Sequence, residues 1–192
     1  MIDIDKLLIE VRNYFVEYLP DYLTYHNWAH TLSVYRNVQH IGRKEKLSEN
    51  KIYLLKIAAL FHDIAYLEEK ANHEEHSCVI MEKWLKKYNL PSSDLNAIKG
   101  MILATMIPQS PQNLSENVIA DADLLYLGTT KYIEVSEKLY QEFYHYNSDW
   151  NAKKWKEIQI NFISSHHYHT AFCKRYYEWK KQHNLKKVIN GI

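Results

Sequence analysis

Ile52-Tyr53-Leu54-Leu55-Lys56-Ile57-Ala58-Ala59-Leu60-Phe61 is the richest apolar run of the chain, interrupted by Lys56 and leading directly into His62-Asp63. Ser48 precedes it as an N-cap, because a serine oxygen can accept from the free amides of a first helical turn. Leu54, Leu55, Ala58, Ala59 and Phe61 then read as a helix. The run falls short of the roughly 18 apolar residues that a membrane-spanning helix needs. Outward from it the pattern is helix after helix. Leu7, Leu8, Val11, Phe15 and Tyr18 recur at helical spacing before Pro20, and Leu32, Val34, Tyr35 and Val38 within a helix that ends near Gly42. Further helices are expected over about 74–88 and, after Pro91, about 93–104. Pro108 and Pro111 mark a loop. Amphipathic stretches at 115–127, 130–146 and 149–166 precede a polar last helix from about Ala171. No period-2 strand pattern competes with them. The expected fold is all-α, a single compact bundle of about eight to nine helices over residues 1–192.

The bulk numbers fit that reading. A chain of 192 residues supports one sizeable core. A net charge of +1 gives no reason to expect capture of nucleic acid or an acidic membrane. The start Met1-Ile2-Asp3-Ile4-Asp5 lacks the basic and apolar regions of a secretory signal. Cys78 and Cys173 form neither a CxxC pair nor a disulfide framework, so a reducing, cytoplasmic setting is expected and both are read as core or incidental residues. Only 4 glycines argue against a Gly-rich phosphate loop. The 16 tyrosines read as half-buried bodies with wet tips and carry no function as a group. The 11 histidines are clustered, and there the functional reading begins.

Three fragments carry chemistry. His26 and His30, in Tyr25-His26-Asn27-Trp28-Ala29-His30, would share a face if helical, although two surface or capping histidines would look the same. His62-Asp63 ends an apolar helix; a divalent cation would satisfy both side chains, and so would a helix end with His62 capping carbonyls and Asp63 in water. Asp121 and Asp123 lie in Val118-Ile119-Ala120-Asp121-Ala122-Asp123-Leu124-Leu125. On a helix they diverge by about 200°, so one should face the interior and the other solvent or a neighbouring helix.

Taken together, the order His, His-Asp, Asp across an all-α chain resembles the HD superfamily of metal-dependent phosphohydrolases. The resemblance implies an HD-domain bundle with its motif-bearing core at about 24–170, and His30, His62, Asp63 and Asp123 as metal ligands. Asp123 is preferred to Asp121 because Ala122-Asp123-Leu124 looks like the family's Ala-Asp-(Arg/Leu) element. The Tyr25-His26-Asn27-Trp28-Ala29-His30-Thr31 segment is similar to one in HD-type cyclic-nucleotide phosphodiesterases. Segments 104–113 and 121–128 look like bacterial HD proteins. The chain departs from two-metal members in having Thr105 and Met106 where a further histidine would be expected, which favours one metal. His73 is then a contact for substrate or a second ion, or a solvent-facing residue at a polar helix start.

The cofactor this implies is one divalent ion, Mn, Fe, Co, Ni or Zn before Mg, given the imidazoles. The implied activity is phosphomonoesterase or cyclic-nucleotide phosphodiesterase. In it, metal-bound water attacks phosphorus, Asp63 accepts the water proton and His26 acts as general acid. The expected partner is a small phosphorylated substrate of the nucleotide type, with neither membrane nor nucleic acid; exposed aromatics could support a homo-oligomer. Competing readings are a non-catalytic HD sensor that binds a nucleotide or metal, and an all-α scaffold without metal. The late Ser165-His166-His167-Tyr168-His169 cluster lacks a companion carboxylate in sequence and reads as structural, and Lys180–Lys187 as a solvated helix face.

Overall fold

A helix that is apolar on every side must be buried on every side, and residues 57–61, the last turn and more of the helix at 49–61, meet that requirement. The computed structural model describes residues 2–68, 71–149 and 151–191. Among them are ten α-helices and no strand: α1 (Ile4–Tyr18), α2 (Trp28–Lys44), α3 (Glu49–Phe61), α4 (His73–Leu85), α5 (Ser92–Leu103), α6 (Leu114–Asp123), α7 (Tyr132–Tyr146), α8 (Ala152–Ser165), α9 (Ala171–Tyr176) and α10 (Glu178–Asn190). The all-α expectation holds. The expected stretch at 149–166 includes residue 150, which lies outside the described residues, as do the two ends of the 1–192 span.

α3 is the central post. Leu55, Ile57, Ala58, Ala59, Leu60 and Phe61 are all fully buried. α2 and α5 flank it, and α1, α4 and α6 complete the shell. Ser48 caps it as expected, its Oγ accepting from the Lys51 amide at 3.4 Å. Truncating Leu55 to Ala would remove about 2–5 kcal/mol, as large-to-small changes in a packed core do.

A second, smaller apolar cluster joins Leu124, Leu127, Tyr132, Ile163 and Val188. It forms where α6 gives way to a 3-10 turn at Leu125–Gly128, which α7 and α10 pack against. Gly128 is required in that turn. A Cβ there would lie 2.6 Å from the Tyr177 carbonyl and 2.8 Å from the Tyr168 hydroxyl.

The expected last helix is two helices, broken at Tyr177. Lys181 also departs from expectation: it is fully buried, not solvated. α10 turns this position toward α8, whose last turn ends at His166. The Lys181 ammonium donates to the His166 carbonyl there and pairs with Glu178 Oε1 at 3.0 Å. A cation is favoured at that end of a helix.

Candidate metal centre

Three helix termini converge on one point. His30 sits in the first turn of α2, His62 and Asp63 follow the last residue of α3, and Asp123 closes α6. The α2 terminus is set by Asn27, whose Oδ1 accepts from the Ala29 and His30 amides at 2.9 and 3.3 Å. α6 is held to α2 by the Asn37 amide, which donates to the Ala122 carbonyl at 3.2 Å. His30 Nε2 lies 3.1 Å from His62 Nε2, 3.2 Å from Asp63 Oδ2 and 3.1 Å from Asp123 Oδ1. His62 Nε2 lies 3.1 Å from Asp63 Oδ2. One donor atom from each of the four residues falls within 4.8 Å of the others.

The donor chemistry fits a divalent cation. Two imidazole nitrogens and two carboxylates form a mixed set suited to a transition metal or zinc. His62 Nδ1 donates to the Ala59 carbonyl at 3.0 Å, which fixes the ring and leaves Nε2 for the cluster. In the metal-free protein, burial opposes charge on both histidines. Contacts with Asp63 and Asp123 outweigh it, so His30 is raised and His62 raised well above the usual histidine value. Burial likewise opposes charge on Asp63, but His62 and His30 hold it well below the usual carboxylate range.

His26 does not share a helix with His30 as expected. Because Asn27 is the N-cap, α2 begins after His26, which lies in the preceding turn. The rings still come within 6.1 Å between centroids. His26 is fixed by Glu142, whose carboxylate accepts from the Tyr25 and His26 amides at 3.0 and 3.1 Å and from His26 Nδ1. Tyr66 stacks on the other side of the imidazole, 3.7 Å between centroids and 10° between planes. Neither Glu142 nor Tyr66 carries a sequence signal that ties it to His26. Glu142 comes from α7, and no local motif marks it.

His73 Nε2 lies 3.4 Å from Asp63 Oδ1 and 3.3 Å from Glu74 Oε1, beside the cluster. Asp121 is turned away. It accepts from the His169 amide (2.7 Å), the Thr170 amide (2.8 Å) and the Thr170 hydroxyl (2.6 Å), and so ties the segment before α9 to α6. The late histidines thus do have a carboxylate neighbour. It acts as an anchor for backbone amides.

Asp63, Asp123, His26 and His73 stand on the wall of a cavity of about 600 Å³, the size of a small-molecule site. Thr105 and Met106 also line it. The arrangement places buried carboxylates and imidazoles beside a cleft where a small anion could meet them.

A family model described as "HD domain" matches residues 27–127. The crystal structure of a protein described as a predicted HD superfamily hydrolase, from an uncultured Thermotogales bacterium, is similar in fold. Its TM-score is 0.56 at 23% identity, covering 85% of this chain and 94% of that one. Among curated proteins none matches the chain.

Proposed function

The chain belongs to the HD-domain family, and on that premise we propose that it is a metal-dependent phosphohydrolase of a small organic phosphate ester. The observation that carries this reading is the convergence of His30, His62, Asp63 and Asp123 donor atoms within 4.8 Å, with Asp63 and Asp123 on the wall of a cavity that His26 also lines.

In this reading those four residues hold one divalent ion. Such an ion, when bound, lowers the pKa of a water and offsets negative charge on phosphoryl oxygens. The chain's own residues supply the proton traffic. Asp63 accepts a proton as water adds to phosphorus. His26 Nε2 gives a proton to the ester oxygen as the bond from phosphorus to that oxygen breaks. Glu142 holds the Nδ1 side of the ring, which leaves Nε2 as the nitrogen available to the cavity. Tyr66 keeps the ring plane from rotating. His73 contacts the phosphate oxygens or a second ion beside Asp63.

The test is elemental analysis of protein purified without added metal, followed on the same sample by a phosphate-release panel. The panel holds nucleoside monophosphates, cyclic nucleotides and sugar phosphates, with Mn, Co, Ni and Mg. About one metal per chain with turnover is expected for this single-cluster site. Metal without turnover would favour a non-catalytic sensor, and a chain that binds no metal under any loading would sink the reading.

A further inference from the structure

The cavity has two unlike ends. Near the histidine–aspartate cluster its wall carries Asp63, Asp123, His26 and His73. Its far end, built by the 125–128 turn, α7 and α8, is lined by Leu127, Leu139, Phe143, Trp155, Ile158 and Ile163. The two ends are continuous. Tyr25 packs on His30 at 4.5 Å between centroids, Tyr126 on Tyr25 at 5.8 Å, and Tyr132 stacks parallel to Tyr126 at 6.4 Å.

Among the described residues no lysine or arginine lines the cavity. Among the described residues, a second or third phosphate would meet no lysine or arginine there, and Asp63, Asp123 and Glu74 stand on the same wall. The polar groups at the far end are mostly committed to one another. Gln159 Oε1 accepts from the Tyr132 hydroxyl and, at 2.6 Å, from the Ser136 hydroxyl. Ser136 Oγ in turn accepts from the Trp155 indole at 3.3 Å. Two donors on Oε1 fix the amide, so its NH2 is the group left to offer. A sugar or a base edge with several donors and acceptors would leave most of them unmatched against this wall, and burying unmatched polar groups disfavours a ligand strongly.

We propose that the far chamber receives an uncharged, apolar aryl or alkyl group carried on a single phosphate. The preferred substrate is then an aryl or alkyl monophosphate, not a nucleotide or a sugar phosphate. The assignment rests on the hydrolase reading for the ester being cleaved, and on the chamber alone for the group being bound.

The experiment uses the full chain in two arms. Calorimetry of the metal-free protein measures binding of 2-naphthol, the alcohol of an aryl phosphate. Turnover of the metal-loaded protein compares 2-naphthyl phosphate and octyl phosphate with AMP, ATP and glucose 6-phosphate. Both arms are repeated on Leu139→Trp and on Ile158→Trp, two half-buried positions that fill the chamber from different helices, so that one misfolded variant still leaves the other. Saturable naphthol binding that weakens about tenfold or more on filling is expected, with kcat/KM for naphthyl phosphate about tenfold or more above AMP. A preference for AMP, ATP or glucose 6-phosphate, or naphthol binding that the folded variants leave unchanged, would overturn the assignment. Naphthol binding lost on filling, with no ester turned over, would overturn the hydrolase reading and uphold the chamber as the seat of an apolar group.

Discussion

His30 Nε2 and His62 Nε2 face each other at 3.1 Å, brought together from the start of α2 and the end of α3. Two imidazole lone pairs repel at that separation, so a proton or a cation must lie between them. The His62 Nδ1 hydrogen is committed to the Ala59 carbonyl, which excludes the tautomer that would relieve the contact from that side. Protons and a divalent ion therefore compete for the same space.

Stability of the chelator-stripped protein should follow this competition. His30 and His62 have raised values in the metal-free fold. Their stabilisation is complete below the unfolded histidine value of about 6.5 and is lost as pH rises through the raised folded values. Asp63 and Asp123 are lowered. Theirs is present above the unfolded carboxylate value of about 3.9 and is lost as pH falls through the lowered values. The cluster's own contribution to the stability of the stripped protein should be greatest between about pH 4 and 6.5. Added metal should raise the melting temperature most at alkaline pH. A stripped protein that grows more stable from pH 6.5 to 9 would contradict this arrangement.

Asp121 and Asp123, two residues apart, should fail in different ways. Asp123→Ala should remove bound metal while leaving most of the fold. Asp121→Ala would strand two backbone amides and the Thr170 hydroxyl. It should cost about 3 kcal/mol, as losing hydrogen bonds to a buried carboxylate does, while metal per folded chain stays at the wild-type level. Elemental analysis and urea titration of both variants separate the roles, and full metal in Asp123→Ala would reverse the assignment.

His26→Ala should retain metal and lose turnover by about 10²–10⁴, the range for a general acid. Glu142→Gln should keep metal and fold but lose about 10–100-fold in kcat, since an orienting partner acts through the ring it holds. Its pH–rate profile should shift, which loss of packing alone would not produce. Loss of metal in His26→Ala would make His26 a ligand instead.

Legibility followed the range of the cause. α3 is legible because its burial is written into the apolar residues Ile52, Leu54, Leu55 and Ile57–Phe61 of one short run, and the Ser48 cap is a local event. His30, His62, Asp63 and Asp123 are singled out by the order His, His-Asp, Asp that resembles the HD superfamily, since each fragment alone leaves a bland reading open. The i, i+4 spacing of His26 and His30 suits a shared helix, but the Asn27 side chain caps α2 and leaves His26 outside it. Glu142, 116 residues from His26, leaves no trace near the site in sequence. Lys181 looked like one more charge in a lysine-rich helix, because what buries it is the carbonyl at the end of α8. The tyrosines were read as one class. Four of them, Tyr25, Tyr66, Tyr126 and Tyr132, line the cavity, and only tertiary packing selects those four.

The buried Lys181 sets a last expectation. Its ammonium donates to His166 Nδ1 at 3.3 Å and to the His166 carbonyl. Burial first, then the Lys181 charge, push the His166 pKa down to about 3. A folded value below the unfolded one means that the unfolded chain takes up a proton first as pH falls. The contribution of His166 is thus intact above about pH 6.5 and is lost on acidification toward the folded value. His166→Asn keeps an acceptor for the ammonium and does not titrate. Between pH 7 and 4 the wild type should lose about 3 kcal/mol more than this variant, at 1.36 kcal/mol per pH unit of unequal proton uptake. Urea unfolding at pH 7, 5.5 and 4 checks it. Parallel acid limbs for the two proteins would mean that His166 takes up its proton in the folded state, and that Lys181 does not hold it neutral.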